Sequence, residues 1–116
     1  MQIKIITDKI TVDELRQMAQ ESFGDFVKGV CDTEKRILAL GGELHSDCFD
    51  VLVENNSEAK NIWGFNVFPD FSAEKRIDFV SLINIRPSQN NRSMEIQNQE
   101  IKEKIIEIIN HLILWS

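Results

Sequence analysis

The chain is poor in cysteine and in basic residues, and both shortages narrow the kinds of protein it can be. Its two cysteines, Cys31 and Cys48, make no disulfide framework and fit no CxxC pattern. We therefore expect buried free thiols and a cytoplasmic protein. Lysine and arginine number 13 against 19 aspartates and glutamates, a net charge of −6. This charge argues against binding to nucleic acid or to anionic membranes, which requires clustered positive residues.

Long apolar runs are also missing, and we expect no targeting segment at 1–6. No window approaches the ~18 uninterrupted apolar residues of a membrane span, and the apolar run at 3–6 is too short for a signal peptide. The sequence has no glycine-rich phosphate loop, no zinc-ligand spacing and no nucleophile elbow. Hydrophobic residues make up 42% and charged residues 28%, as in ordinary globular proteins. The length predicts one domain over residues 1–116.

Hydrophobic spacing and turn residues predict the elements of the first half of the chain. They are a strand at 3–6, a helix over 12–23, hairpin arms at 26–31 and 36–40, and a second helix over 43–54. Thr11 and Glu14 have the spacing of a capping box, and Gly24 is a helix stop. Residues 43–54 also contain the alternation of a strand, but the helical spacing is preferred.

The second half predicts two more strands and a helix. The strands cover 62–68 and 77–85, and each ends at a proline. The second of them is the most apolar candidate, so we expect it at the centre of the sheet. Asn98 is a candidate cap for the last helix. The buried stripe of that helix is predicted to contain Ile101, Ile105, Ile108, Ile109 and Leu112.

The resulting order is β-α-β-β-α-β-β-α, which predicts an α+β domain. Connections of hairpin length favour a mainly antiparallel sheet. We expect the helices on one face of this sheet, in a two-layer arrangement.

The sharpest polar cluster follows two glycines and consists of Glu43, His45 and Asp47. In an extended backbone these three side chains share a face. They could then hold a divalent metal, or orient His45 as a catalytic general base. In a helix, Glu43 and Asp47 pair while His45 points elsewhere, and both carboxylates then serve the helix start. No cofactor is evident beyond that candidate metal.

A second polar cluster occupies the loop after the strand at 77–85. Arg86, Arg92 and Asn90 could bind a small anionic ligand such as a phosphate or carboxylate. The alternative is that Arg86 pairs with a carboxylate of the same chain and that the asparagines serve turns. Asn66 is a candidate to line a site or buttress a loop, and Trp63 is a candidate ligand platform that is more typical of a core residue.

Both polar clusters begin where strands end, which suggests a shared pocket. We expect His45 to face Arg86 and to form the floor of a polar pocket with Asn66, because opposite charges attract the acidic segment toward Arg86.

The C-terminal helix carries more apolar residues than one buried stripe requires. Ile106 and Ile113 lie outside the stripe, and Leu114 and Trp115 follow. This excess predicts a homodimer through the last helix.

Four blocks of the sequence resemble a family of small bacterial proteins of unknown function. The blocks are KGVCD at 28–32, GGELHSD at 41–47, WGFNVFP at 63–69 and SLINIRPSQNNRSMEI at 81–96. The chain departs from the family pattern at Cys31, Ser46 and Cys48. The resemblance implies a soluble one-domain protein and no particular activity. It places these polar residues inside family-like motifs: Asp32, Glu43, His45, Asp47, Trp63, Asn66, Asn84, Arg86, Asn90 and Arg92.

Two functions from different classes fit these observations. The first is a binding or interaction module without established catalysis. The second is a hydrolase, metal-assisted or general-base, in which the cluster at 43–47 supplies the chemistry. Its anionic substrate would be held by Arg86 and Arg92.

Overall fold

The computed structural model describes residues 2–115. They contain short strands and three α-helices, joined by turns and loops. The strands are β1 (Lys4–Ile6), β2 (Ile10–Thr11), β3 (Val27–Asp32), β4 (Ile37–Leu40), β5 (Ile62–Val67), β6 (Ile77–Asp78) and β7 (Ile113–Leu114). The helices are α1 (Val12–Glu21), α2 (His45–Glu54) and α3 (Gln99–Leu112).

Five of the strands form one sheet in the order β1-β4-β3-β5-β6, and every neighbouring pair is antiparallel. β2 and β7 form a separate parallel pair. The predicted α+β class with a mainly antiparallel sheet is therefore confirmed. The observed order differs from the predicted one by the two added short strands.

The predicted helix caps are present. The Thr11 hydroxyl accepts the Glu14 amide at 3.1 Å, and the Asn98 side chain accepts the Ile101 amide at 3.1 Å. Residues 43–54 are helical from His45 onward, as preferred. Each cap satisfies a backbone donor that has no partner inside its helix.

Helices cover both faces of the sheet, so the expected two-layer arrangement is wrong. Val27 and Cys31 of β3 pack in the cluster that holds α1 and α3, whereas Val30 packs in a second cluster with Cys48 and Leu52 of α2. The physical reason lies in the central strands, which are buried at nearly every position rather than at alternate ones. Such strands require cover on both sides.

The segment 77–85 is the clearest departure from the prediction. Only Ile77–Asp78 is a strand, and it lies at the edge of the sheet. Leu82–Asn84 forms a 3₁₀ turn, and the Ser81 hydroxyl caps it by accepting the Ile83 amide at 3.3 Å. Polar side chains inside the apolar run compete for backbone hydrogen bonds and break the strand.

Strand β7, which follows α3, pairs with β2, which precedes α1. Ile113 pairs with Ile10 across β7 and β2 and is 1% exposed. Ile113 is therefore a core residue, and its predicted place outside the buried stripe, in a dimer interface, is wrong. The indole of Trp115 donates to Asn110 at 2.8 Å, and Arg76 stacks on its ring.

None of the helices found in residues 2–115 combines the length and the apolar character needed to cross a membrane.

Candidate functional site

A cavity of about 470 Å³ opens between the start of α2, the strands β3 and β5, and the loop that follows β6. We call it the His45 cavity. Six apolar and five polar residues line it: Phe26, Leu44, Val80, Leu82, Ile83 and Met94, with Lys28, His45, Ser46, Asn66 and Ser81. Leu82 is 72% exposed and Leu44 is 55% exposed, so large apolar side chains at this cavity face solvent.

His45 is held in one orientation by two oxygen atoms. Its Nε2 lies 2.9 Å from the carbonyl oxygen of Phe65 and 2.9 Å from Oδ1 of Asn66. Both oxygens are acceptors, so Nε2 carries the proton and donates. Nδ1 makes no hydrogen bond within residues 2–115 and is the ring nitrogen left for a ligand.

Asn66 is itself fixed from the other side. Its Nδ2 donates to Oδ1 of Asp78 at 2.7 Å and to the carbonyl oxygen of Val80 at 3.1 Å. This assigns Oδ1 of Asn66 as the acceptor toward His45. The chain Asp78–Asn66–His45 therefore sets the tautomer of the imidazole, as outer partners commonly do for functional histidines.

The surroundings favour the neutral form of His45. Burial lowers the pKa of its imidazole, and the charge of Lys28 lowers it further, against opposing effects of the Phe65 carbonyl, Asn66 and Asp78. A pKa below the ordinary value of about 6.5 leaves the ring neutral at neutral pH, with a lone pair on Nδ1.

The predicted acidic cluster does not form a metal site. His45 begins α2, so its side chain turns toward β5, whereas Glu43 and Asp47 are exposed. Within residues 2–115, no group of three or more histidine, cysteine, aspartate or glutamate side chains is placed to hold a metal ion. The extended-backbone interpretation of this segment is therefore wrong, and with it the metal set.

Arg86 hydrogen-bonds to backbone carbonyls and does not pair with an acidic side chain among the described residues. Its guanidinium donates to the carbonyl oxygens of Ala59, Ile62 and Ile83 and stacks on Trp63, with Cζ 4.4 Å from the ring centroid. It makes no ion pair among the described residues. Burial lowers its pKa.

The structure brings together only part of the predicted pocket. His45 and Asn66 meet, but Arg86 lines a neighbouring cavity that shares Ser46 and Ile83 with the His45 cavity. No hydrogen bond joins His45 to Arg86 within residues 2–115. The expected facing of these two side chains is wrong, because backbone carbonyls already occupy the guanidinium.

The remaining candidates lie outside the His45 cavity. Trp63 is 2% exposed and belongs to the core, and Arg92 is exposed on the loop. Asn90 adopts a left-handed conformation with φ 61° and ends a 3₁₀ turn, as the turn alternative for the loop predicts.

Two buried asparagines shape the wall of the cavity. Asn84 accepts the Gly64 amide at 2.8 Å and donates to the Gly64 carbonyl at 3.0 Å, so its side chain takes the place of a neighbouring strand. Asn91 donates to the Asn84 carbonyl at 2.7 Å and accepts the Gln97 amide at 2.8 Å. A Cβ on Gly64 would lie 2.7 Å from Cβ of Ser81, so this close approach requires glycine.

Sequence reasoning missed several residues of the cavity. The sequence predicts Lys28 only as part of a hairpin arm, and it indicates no site role for Leu82 or Met94. Asp78 carried a usable signal, since it is a lone carboxylate at the start of an apolar run. Nothing local in the sequence shows that Lys28 and Leu82 line the same cavity, because 54 positions separate them.

Fold and site together define a small α+β protein with an apolar cavity and a fixed histidine at its polar floor. The chain belongs to the family described as Protein of unknown function (DUF5674), whose model matches residues 4–112. The resemblance drawn from the sequence is thus confirmed at the level of a family of unknown function. Comparisons with curated proteins and with solved structures found no match.

Proposed function

We propose that this protein is a binding module for a small molecule, and that the His45 cavity holds the apolar part of that molecule. The observation that carries the proposal is the combination of apolar walls with a polar floor whose orientation is fixed. Ligand pockets have this composition, and about 470 Å³ lies within their usual size range. Covering Leu44, Leu82 and Met94, all exposed, would also remove apolar surface from water.

Titration with the fluorescent dye 1-anilinonaphthalene-8-sulfonate tests this proposal on the native protein. We expect saturable binding of one dye per chain, with enhanced emission. Leu82→Glu should weaken binding at least ~10-fold, since it places a charge at the mouth of the cavity. Val53→Glu is the matched control, because Val53 is also exposed but lies outside the cavity. Equal weakening by both variants, or no saturable binding, would remove the proposal.

General-base hydrolysis in the same cavity is the second candidate function. The observation that favours it is the Asp78–Asn66–His45 chain, which leaves a neutral Nδ1 free to accept a proton from water. Short-chain p-nitrophenyl esters are the test substrates. Turnover that His45→Gln abolishes, in a folded variant, would support catalysis. A rate equal to that of buffer would dismiss it for these esters.

We also propose that the protein is cytoplasmic. Two free, buried cysteines, Cys31 and Cys48, support this location. Fractionation of cells that produce the protein tests this location. Self-association through α3 also stays a proposal, and its test is given below with the helix.

A further inference from the structure

Resting on the proposed function, we infer that the molecule bound in the His45 cavity is a small amphipathic anion. Its acidic group lies between the ammonium of Lys28 and Nδ1 of His45. Its apolar chain runs along Leu44, Leu82 and Met94.

Lys28 gives the cavity a positive charge. It is the one lysine, arginine, aspartate or glutamate that lines the cavity within residues 2–115. Its Nζ donates to the carbonyl oxygen of Glu43 at 3.0 Å and lies 4.8 Å from the centroid of the Phe23 ring. An ammonium has three donors, so hydrogens remain for a ligand. A charge at the edge of an apolar cavity favours a ligand group of opposite sign.

His45 supplies the second contact. His45 lines the cavity, its Nε2 is occupied by Phe65 and Asn66, and its Nδ1 makes no hydrogen bond within residues 2–115. The charged groups that act on the imidazole are Lys28 and Asp78. An anion beside Nδ1 favours the protonated ring, which then donates to the anion. Binding of an anion is therefore linked to uptake of a proton by His45.

The exposed apolar residues define the rest of the ligand. Val80, Leu82 and Met94 come from one loop, and Leu44 lines the same cavity at the start of α2. A hydrocarbon chain fits this composition, whereas a fully polar anion would leave the walls uncovered.

Three probes with the same eight-carbon chain separate the contributions: 1-octanesulfonate, 1-octanol and octylammonium. Isothermal titration calorimetry at neutral pH should give about tenfold tighter binding of the sulfonate than of the alcohol, and the weakest binding for the ammonium. Equal binding of sulfonate and alcohol overturns the anion while the proposed function stands. Absence of binding by all three overturns the proposed function as well.

Lys28→Met should weaken binding of 1-octanesulfonate about tenfold and leave 1-octanol unchanged, and Lys28→Arg should restore the preference. A parallel loss for both probes would mean that Lys28 only supports the fold, and would overturn its role.

The pH dependence tests His45 separately. The sulfonate stays ionised, so a change in its affinity reports a group of the protein. From about pH 7.5 to about pH 5.5, affinity for 1-octanesulfonate should rise several-fold as His45 takes up its proton. His45→Gln should give a flat profile, with folding checked by circular dichroism. A rise that persists in His45→Gln overturns the contact.

Discussion

Asn84 organises a large part of the cavity wall through a single buried amide. Its side chain faces four backbone groups at 2.8 to 3.3 Å, namely both polar groups of Gly64 and the carbonyls of Phe79 and Met94. The Phe79 and Met94 carbonyls also accept the backbone amides of Ile96 and Ser81. Removing the buried Asn84 side chain would therefore chiefly cost its hydrogen bonds to Gly64. One side chain therefore holds the loop after β6 against β5.

Replacing Asn84 by alanine should destabilise the protein by about 3 kcal/mol, since the buried hydrogen bonds to both polar groups of Gly64 would be lost. Urea unfolding measures the difference. Asn90→Gly is the control in the same loop, because Asn90 is exposed and already left-handed. We expect that variant to stay within about 0.5 kcal/mol of the wild type. A loss below 1 kcal/mol for Asn84→Ala would contradict this role of the amide.

Both thiols should be slow to react in the native protein. Cys31 and Cys48 are fully buried, and burial raises the pKa of each, that of Cys48 to about 11. The reactive thiolate form of both cysteines is therefore scarce at neutral pH. Labelling with 5,5′-dithiobis(2-nitrobenzoate) should proceed slowly without denaturant and quickly in guanidinium. Rapid labelling of the native protein would show that one of these positions opens to solvent.

At the scale of the elements, α3 divides its apolar residues between the core and the surface. Ile105, Ile108, Ile109 and Leu112 are buried as predicted, and Ile101 is half-buried. Ile106 remains 36% exposed and Leu114 after it 44% exposed. Of the residues predicted for a homodimer interface, these two are exposed and could form it.

Light scattering at high micromolar concentration tests that dimer. The wild type should give twice the monomer mass, and Ile106→Glu should give the monomer mass with its fold retained, because the charge would be buried in the interface. Ile105→Glu should instead unfold the monomer, and Ile113→Glu should do the same because Ile113 is a core residue. A wild-type protein of monomer mass would end the dimer proposal.

For the whole molecule, local patterns predicted the elements well and their arrangement less well. Thr11 and Asn98 mark helix starts, and Asp32 marks a hairpin turn, where its carboxylate accepts the amides of Glu34 and Lys35 at 2.9 Å. These signals act within a few residues. The covering of both sheet faces depends on which helix packs where, and no short pattern records it.

The candidate site could also be predicted only in part from local patterns. The contact between His45 and Asn66 was expected and is present, since both residues lie near strand ends. Arg86 was expected in the same pocket because opposite charges attract. In the structure three backbone carbonyls hold its guanidinium instead, and such partners leave no trace in a pattern of charged residues.

The pairing of β2 with β7 also bears on the order in which the molecule is completed during synthesis. The smaller core cluster, under α2, needs no residue beyond Ile83, whereas the larger one waits for α3 and Ile113. We therefore expect a growing chain to close one side of its sheet before the other. Hydrogen exchange on a chain truncated after Gln97 should show amides of α2 better protected than those of α1. Equal exchange in both helices would mean that the two sides form together.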